Sequence, residues 1–206
     1  MATQSLAARL RTQRSEMMVS ELEAIALRLF EQRGFDDVTV EDIASEARIS
    51  VRTFYRYFPS KEDVFQQQIA RRSAGLRAAL EARPLDEPPM HALRVALTEQ
   101  ISAEDTELLR RWIAVIATTP SVVKSVLGGI QLNSQRVISE FFGLRLGLSN
   151  DALVPTMLAA AAQGVIQAAQ TQWFFHGGDL AATISECLEV LERGIGTDPS
   201  TWPTAK

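Results

Sequence analysis

The chain has 206 residues, 46% of them hydrophobic, enough for a buried core in one large domain or two small ones. Its net charge is -4, and one cysteine, Cys187, with two histidines, His91 and His176, offers neither a disulfide pair nor a ligand set at zinc spacing, so no structural metal or cofactor is expected. No apolar run reaches the roughly 20 residues of a membrane span, and MATQSLAARLRTQR lacks the apolar stretch of a secretory signal, which points to the cytoplasm.

The charge is unevenly divided. Residues 1–83 hold 13 Lys and Arg against 12 Asp and Glu, while residues 84–206 hold 8 against 13, so the basic character lies in the first part. Arg9, Arg11 and Arg14 precede the first acid, Glu16, and residues 1–15 read as a flexible basic arm. Leu22, Ile25, Ala26, Leu29 and Phe30 then repeat at three and four, which predicts a helix over 16–33 with Gly34 at its C′ position. Thr39 with Asp42 resembles a capping box with Asp in place of Glu, and opens a two-turn helix carrying Val40, Ile43, Ala44 and Ala47. Ser50 caps a third helix that Pro59-Ser60 stops, and Ser60 with Asp63 starts a long fourth helix reaching Arg83.

RPLDEPP, residues 83–89, carries three prolines and no apolar period, and marks a domain boundary. Helices follow at 90–102, 104–118, 121–146, 150–176 and 179–194. Pro155 either sits in the first turn of a helix starting later than 150 or kinks it. Residues 196–206 read as a flexible tail. The expectation is an all-α fold of about nine helices: residues 16–66 form a head whose fourth helix continues to 83, and residues 84–195 form a second helical domain.

Both tyrosines of the chain, Tyr55 and Tyr57, fall in SVRTFYRYF, Ser50 to Phe58. At about 100° per residue, Phe54, Phe58 and Val51 share an apolar face, Arg52, Thr53 and Arg56 occupy the opposite arc, and the tyrosines flank it. Taken alone, this is an amphipathic surface helix with half-buried tyrosines. Preceded by a two-turn helix and a three-residue turn at Arg48–Ser50, it has the spacing of a helix-turn-helix, whose second helix enters the DNA major groove.

The run TVEDIASEARISVRTFYRYFPSKEDVF, Thr39 to Phe65, after a helix ending in GFDDV, resembles the N-terminal domain of TetR-type transcriptional regulators. The resemblance covers roughly residues 15–66. It departs from the common pattern where Arg48 replaces a turn glycine, where Arg52 replaces a small residue, and where Tyr57 replaces a frequent histidine. A non-glycine residue at position 48 must tolerate whatever backbone geometry the turn requires.

The resemblance implies a ligand-responsive regulator, a repressor that binds a palindromic operator in double-stranded DNA as a homodimer and is released by a small, largely hydrophobic effector. It implies phosphate contacts from Thr39 and Lys61, base contacts from Arg52 and Thr53, a thymine methyl contact from Val51, and backbone contacts from Tyr55, Arg56 and Tyr57. Arg9, Arg11 and Arg14 would enter the minor groove, or belong to an unstructured tail. An effector pocket would draw on Trp112, Ile116, Gln131, Gln135, Phe141, Phe142, Met157, Gln163, Trp173 and His176, with no arginine or lysine cluster among them. Dimerisation would use the last two helices, through the small residues Ala161, Gly164 and Ala168 and the stripe Ile184, Leu188 and Leu191, unless these close the monomer core. No nucleotide loop, metalloprotease motif or nucleophile elbow argues for an enzyme. A helical protein-binding adaptor, or an activator of the same fold, is the alternative.

Overall fold

A computed structural model of the chain describes residues 6–122 and 128–194, with side chains for all of these but 6, 7, 121 and 128–131. Its elements are α1 (Leu6–Arg33), α2 (Val40–Glu46), α3 (Val51–Tyr57), α4 (Asp63–Glu81), α5 (Pro89–Ser102), α6 (Thr106–Ala117), α7 (Pro120–Val122), α8 (Gly128–Leu146), α9 (Leu153–His176) and α10 (Leu180–Arg193). The fold is all-α, with no strand among the described residues. The expected tail at 196–206 and the stretch 123–127 within the expected helix 121–146 lie outside the described residues.

One boundary moves substantially. Helix α1 begins at Leu6, so Arg9, Arg11 and Arg14 stand exposed on a helix and not on an extended arm. The cause is intrinsic propensity. Leu6 to Arg14 are mostly Ala, Leu, Arg and Gln, with neither Gly nor Pro, whereas an apolar stripe reveals a helix only where one face is buried.

The other ends follow local chemistry. Helix α1 stops at Gly34, which adopts φ +84° and donates its N–H to the Phe30 carbonyl at 2.9 Å. Helix α2 opens on the capping box: Thr39 Oγ1 accepts the Asp42 N–H at 3.1 Å, and the Asp42 carboxylate accepts the Thr39 N–H at 2.9 Å. Ser50 and Ser60 accept the N–H groups of Thr53 and Asp63 at 3.1 and 3.3 Å, fixing the starts of α3 and α4. Pro155 falls in the first turn of α9, where its missing N–H breaks no helical bond.

The chain forms two compact units. The first comprises the described residues of Met1–Gln68 and Arg111–Val126. Its core is an aromatic cluster: Phe30 lies 4.9 Å from Phe35 and 5.6 Å from Phe65, and Trp112 meets Phe65 edge-on at 5.3 Å. Leu22, Leu27, Ile43, Phe54, Phe58 and Val64 are fully buried around it. Each such side chain contributes about 1.5–3 kcal/mol by leaving water. The division into these units falls inside α4, between Gln68 and Ile69. The described residues of Arg111–Val126 group with the head, where Trp112 packs on Phe65 and Arg111 holds Glu31 through two bonds of 2.7 Å.

The second unit comprises the described residues of Ile69–Arg110 and Leu127–Lys206. In it α10 packs on α5 and α9, and α8 packs on α9. Leu93, Ile138, Phe142, Ala162, Trp173, Leu180, Ile184 and Leu188 make its dry interior.

Candidate nucleic-acid interface

Helices α2 and α3 and the turn between them build a helix-turn-helix. Its turn is a Schellman motif: the Arg48 N–H reaches the Ser45 carbonyl at 3.0 Å and the Ile49 N–H reaches the Ala44 carbonyl at 2.9 Å. Arg48 occupies the C′ position at φ +55° and is the one non-glycine residue with positive φ among the described residues. The turn therefore keeps the geometry that glycine serves elsewhere, and arginine adopts it.

Helix α3 is anchored from behind by Phe54 and Phe58, both fully buried, with ring centroids 5.4 Å apart. On its outer side Arg52, Tyr55 and Arg56 are exposed, while Val51, Thr53 and Tyr57 are half-buried. Arg56 donates to Tyr57 Oη at 3.1 Å with its guanidinium 4.9 Å above that ring, which ties the two together as a unit. Thr53 Oγ1 lies 2.8 Å from Ser50 Oγ, so the capping serine also fixes its rotamer. No hydrogen bond or ion pair among the described residues engages the Arg52 side chain.

Two expected phosphate ligands, Lys61 and Thr39, also have internal duties. Lys61 Nζ donates to the carbonyls of Phe35 and Val38 at 2.6 and 2.7 Å and sits 4.1 Å over the Phe35 ring, so it ties the start of α4 to the α1–α2 connection. Thr39 Oγ1 donates to the Asp42 carboxylate at 2.7 Å. Hydrogen bonds from the Thr39 backbone and side chain, then from Arg33 at 3.2 Å, hold the Asp42 carboxyl down to about 2. Sequence spacing revealed the box, but Arg33, nine residues away, carried no signal.

The expected pocket residues do not converge. Phe141 lines a cleft of about 220 Å³ together with Arg77, Leu80 and Glu81 of α4, Arg83 and Leu85 beyond it, and Val137, Glu140, Leu144 and Arg145 of α8. Phe142 is buried beside Phe141, and Trp173 is buried with the Arg110 guanidinium 4.3 Å from its ring. Gln135 and Gln163 are half-buried, whereas Met157 and His176 are exposed. Trp112 and Ile116 belong to the other unit, and the Gln131 side chain lies outside the described residues. The cleft also has the arginines that were not expected. Arg77 pairs with Glu140 at 2.6 Å, Arg83 pairs with Glu87, and Arg145 donates to the carbonyls of Arg83 and Glu87 at 3.0 and 3.2 Å. They come from three separate segments, so no local run announced them.

The expected dimer residues divide. Ile184 and Leu188 are 0% exposed and belong to the monomer's own core, which corrects their assignment to a surface: one stripe of α10 closes on α5 and α9. Leu191 is half-buried. Ala161, Gly164 and Ala168 are exposed on α9, on a stripe with Leu153, Met157 and Phe175, whose exposures are 80%, 55% and 73%.

Comparison with known proteins agrees with this head. The model of bacterial regulatory proteins of the tetR family matches residues 24–67, and the MftR C-terminal domain matches residues 87–196. TcmR of Streptomyces glaucescens, an HTH-type transcriptional regulator, is 26% identical over 80% of this chain and 76% of its own length. The transcriptional regulator MftR of Mycobacterium tuberculosis is 28% identical over 84% of this chain and 86% of its own. The transcriptional repressor FadR of Thermus thermophilus, solved in complex with lauroyl-CoA, shares the fold at a TM-score of 0.59 and 22% identity, over 91% of this chain and 100% of that one. A tetR-family head followed by an MftR-type C-terminal domain places this chain in the TetR family of bacterial transcriptional regulators.

Proposed function

We propose that the chain is a dimeric repressor in which α3 reads an operator half-site and a small, largely apolar effector governs the spacing of the two reading heads. The observation that carries this is the outer side of α3. Arg52 is exposed with no partner among the described residues, Tyr55 is exposed, and Arg56 and Tyr57 are held together beside them. Two buried phenylalanines fix the helix from behind. Arg52 then reaches a base edge and can grip guanine bidentately, with Thr53 beside it, while Tyr55, Arg56 and Tyr57 take the backbone and Val51 meets a thymine methyl. Lys61 offers phosphate its third N–H, and Thr39 places the start of α2 against the backbone. Arg9, Arg11 and Arg14, exposed on α1, add a diffuse positive field.

A single short helix reads few base pairs, so a dimer on an approximately palindromic site, with half-sites roughly 34 Å apart, fits this reading. The exposed stripe of α9, small in the middle at Ala161, Gly164 and Ala168 and apolar at its ends, supports self-association there. The cleft on α4 and α8 is the proposed effector site, with Leu80, Val137 and Phe141 as its floor. That FadR, with the same fold, was solved with lauroyl-CoA supports an effector with an apolar body. Helix α4 carries residues of both units, Asp63–Gln68 and Ile69–Glu81, and is the proposed route of coupling. The chain acts by binding and not by catalysis, in the compartment that holds DNA, the cytoplasm.

Gel shift at defined salt tests the reading. The free protein should bind its operator at nanomolar concentration and let go when effector is added, and Arg52→Ala should cost about 1–3 kcal/mol on the preferred sequence while relaxing base preference. Unchanged binding in both Arg52→Ala and Tyr55→Ala would remove α3 from the groove.

A further inference from the structure

We infer that Arg48, in the turn between α2 and α3, is a phosphate ligand, kept as arginine in a conformation that favours glycine because its charge is used on DNA. The inference rests on the reading of α3 as the recognition helix and extends it to a residue outside that helix.

Three observations converge on Arg48. Its backbone is in the left-handed region, φ +55°, held there by the two hydrogen bonds that close α2. Glycine adopts this conformation without penalty and an L side chain does not, so an arginine here is disfavoured by the fold itself. Strained residues of this kind persist where the surroundings dictate the conformation, and they cluster at functional sites. The Arg48 side chain is also exposed, with no hydrogen bond or ion pair among the described residues.

The third observation is the pattern of charge in the head. Three arginines of α1 and α6 are matched with acids: Arg28 with Glu46 at 2.6 Å, Arg33 with Asp42 at 3.2 Å, and Arg111 with Glu31 at 2.7 Å. Glu46 is the acid nearest to Arg48 in sequence, and Arg28 occupies it. Arg48 and Arg52 have no such match. Uncancelled positive charge in the head therefore stands at Arg48 and Arg52, in and just before α3, as well as at Arg9, Arg11 and Arg14 near the start of α1, and uncancelled charge is what a polyanion requires. The contact falls on phosphate and not on a base edge, because the residue precedes the helix that enters the groove.

The test uses the full chain, fluorescence anisotropy, and two duplexes: one selected from a random pool by wild-type binding and a scrambled one of equal length. Losing one phosphate contact flattens the slope of log K against log salt by about 0.9, an effect of about eightfold at 0.1 M salt. For a dimer with one Arg48 in each half-site, Arg48→Gln should flatten the slope by about 1.8 and weaken binding by about sixtyfold, on both duplexes alike. Arg48→Lys should bind like wild type. Arg48→Gly should lose the same affinity with a melting temperature no lower than wild type, a combination that a purely structural role would not give. An unchanged slope in Arg48→Gln overturns the inference, and so does a loss confined to the selected duplex. If wild type binds and Arg52→Ala alters its preference while Arg48→Gln changes nothing, this inference fails and the assignment of α3 stands. If wild type binds no duplex, the assignment itself fails.

Discussion

The two units of the chain are specified by different physics. In the head, the element boundaries are set by short polar bonds between neighbours: the Thr39–Asp42 box, the Ser50 and Ser60 caps, and the left-handed closures at Gly34 and Arg48. In the second unit, the elements are defined by which face of each helix is dry, as with Ile184 and Leu188 on α10. Local polar bonds are written in adjacent letters. Burial depends on which helix lies opposite, and one sequence read alone does not contain that. The head should therefore respond to small local changes in capping and turn chemistry, and the second unit to volume.

The largest effect should come from volume. Leu188→Ala removes a fully buried side chain and should destabilise the second unit by about 2–5 kcal/mol in urea unfolding. The loss should not depend on protein concentration. A loss that grows on dilution would return Leu188 to a subunit interface.

Gly164→Leu tests the opposite case. A Cβ at Gly164 meets nothing within 4 Å, so the monomer should accept the larger side chain, with little change in melting temperature after correction for association. Self-association, followed by sedimentation equilibrium, should weaken at least about tenfold, or about 1.4 kcal/mol, if α9 faces a partner. Undiminished dimerisation would place the partner elsewhere.

Next in size is the capping box. Thr39→Ala should cost about 1 kcal/mol, since it deprives the N–H of Asp42 of its acceptor. The same box gives the head a signed pH dependence. The Asp42 carboxyl is lowered from the ordinary 3.8 to about 2, so its contribution is fully present above the ordinary value and is lost as pH falls through about 2. Wild type should thus exceed Asp42→Asn in stability above about pH 4, and the gap should close on acidification. A gap that persists at pH 1 would mean that the carboxylate charge is not what stabilises the box.

This difference between the units also explains what could be read in advance. The box, the serine caps, Gly34 and the apolar pair Phe54 and Phe58 all follow from spacings of three or four residues, and they lie where the sequence placed them. The start of α1 was missed because Leu6 to Arg14 have helical propensity without a buried face to give them a period. Lys61 illustrates a different gap, since its two carbonyl partners lie 23 and 26 residues upstream and come close only after folding. On α10 an apolar stripe was legible, but whether it meets α5 and α9 or a second copy is a property of packing, and Ile184 and Leu188 went to the monomer. The cleft was invisible for the same reason, being assembled from α4, the segment after it, and α8.

The smallest expected effects come from two helix ends with equivalent geometry and different residues. Gly34 closes α1 at φ +84° and Arg48 closes α2 at φ +55°. Space is not the obstacle at Gly34, because a Cβ there meets nothing within 4 Å. Gly34→Ala should therefore cost about 1 kcal/mol through conformation alone. Arg48→Gly should run the other way and gain less than that, roughly 0–1 kcal/mol, because relief of the left-handed strain is offset by the greater freedom glycine gives the unfolded chain. Opposite signs in the two melting temperatures would establish that the α2 end holds its arginine against the preference of the fold. A loss in Arg48→Gly as well would mean that the freedom glycine gives the unfolded chain outweighs relief of the left-handed strain, and the reason for an arginine at position 48 would then rest on the DNA measurements alone.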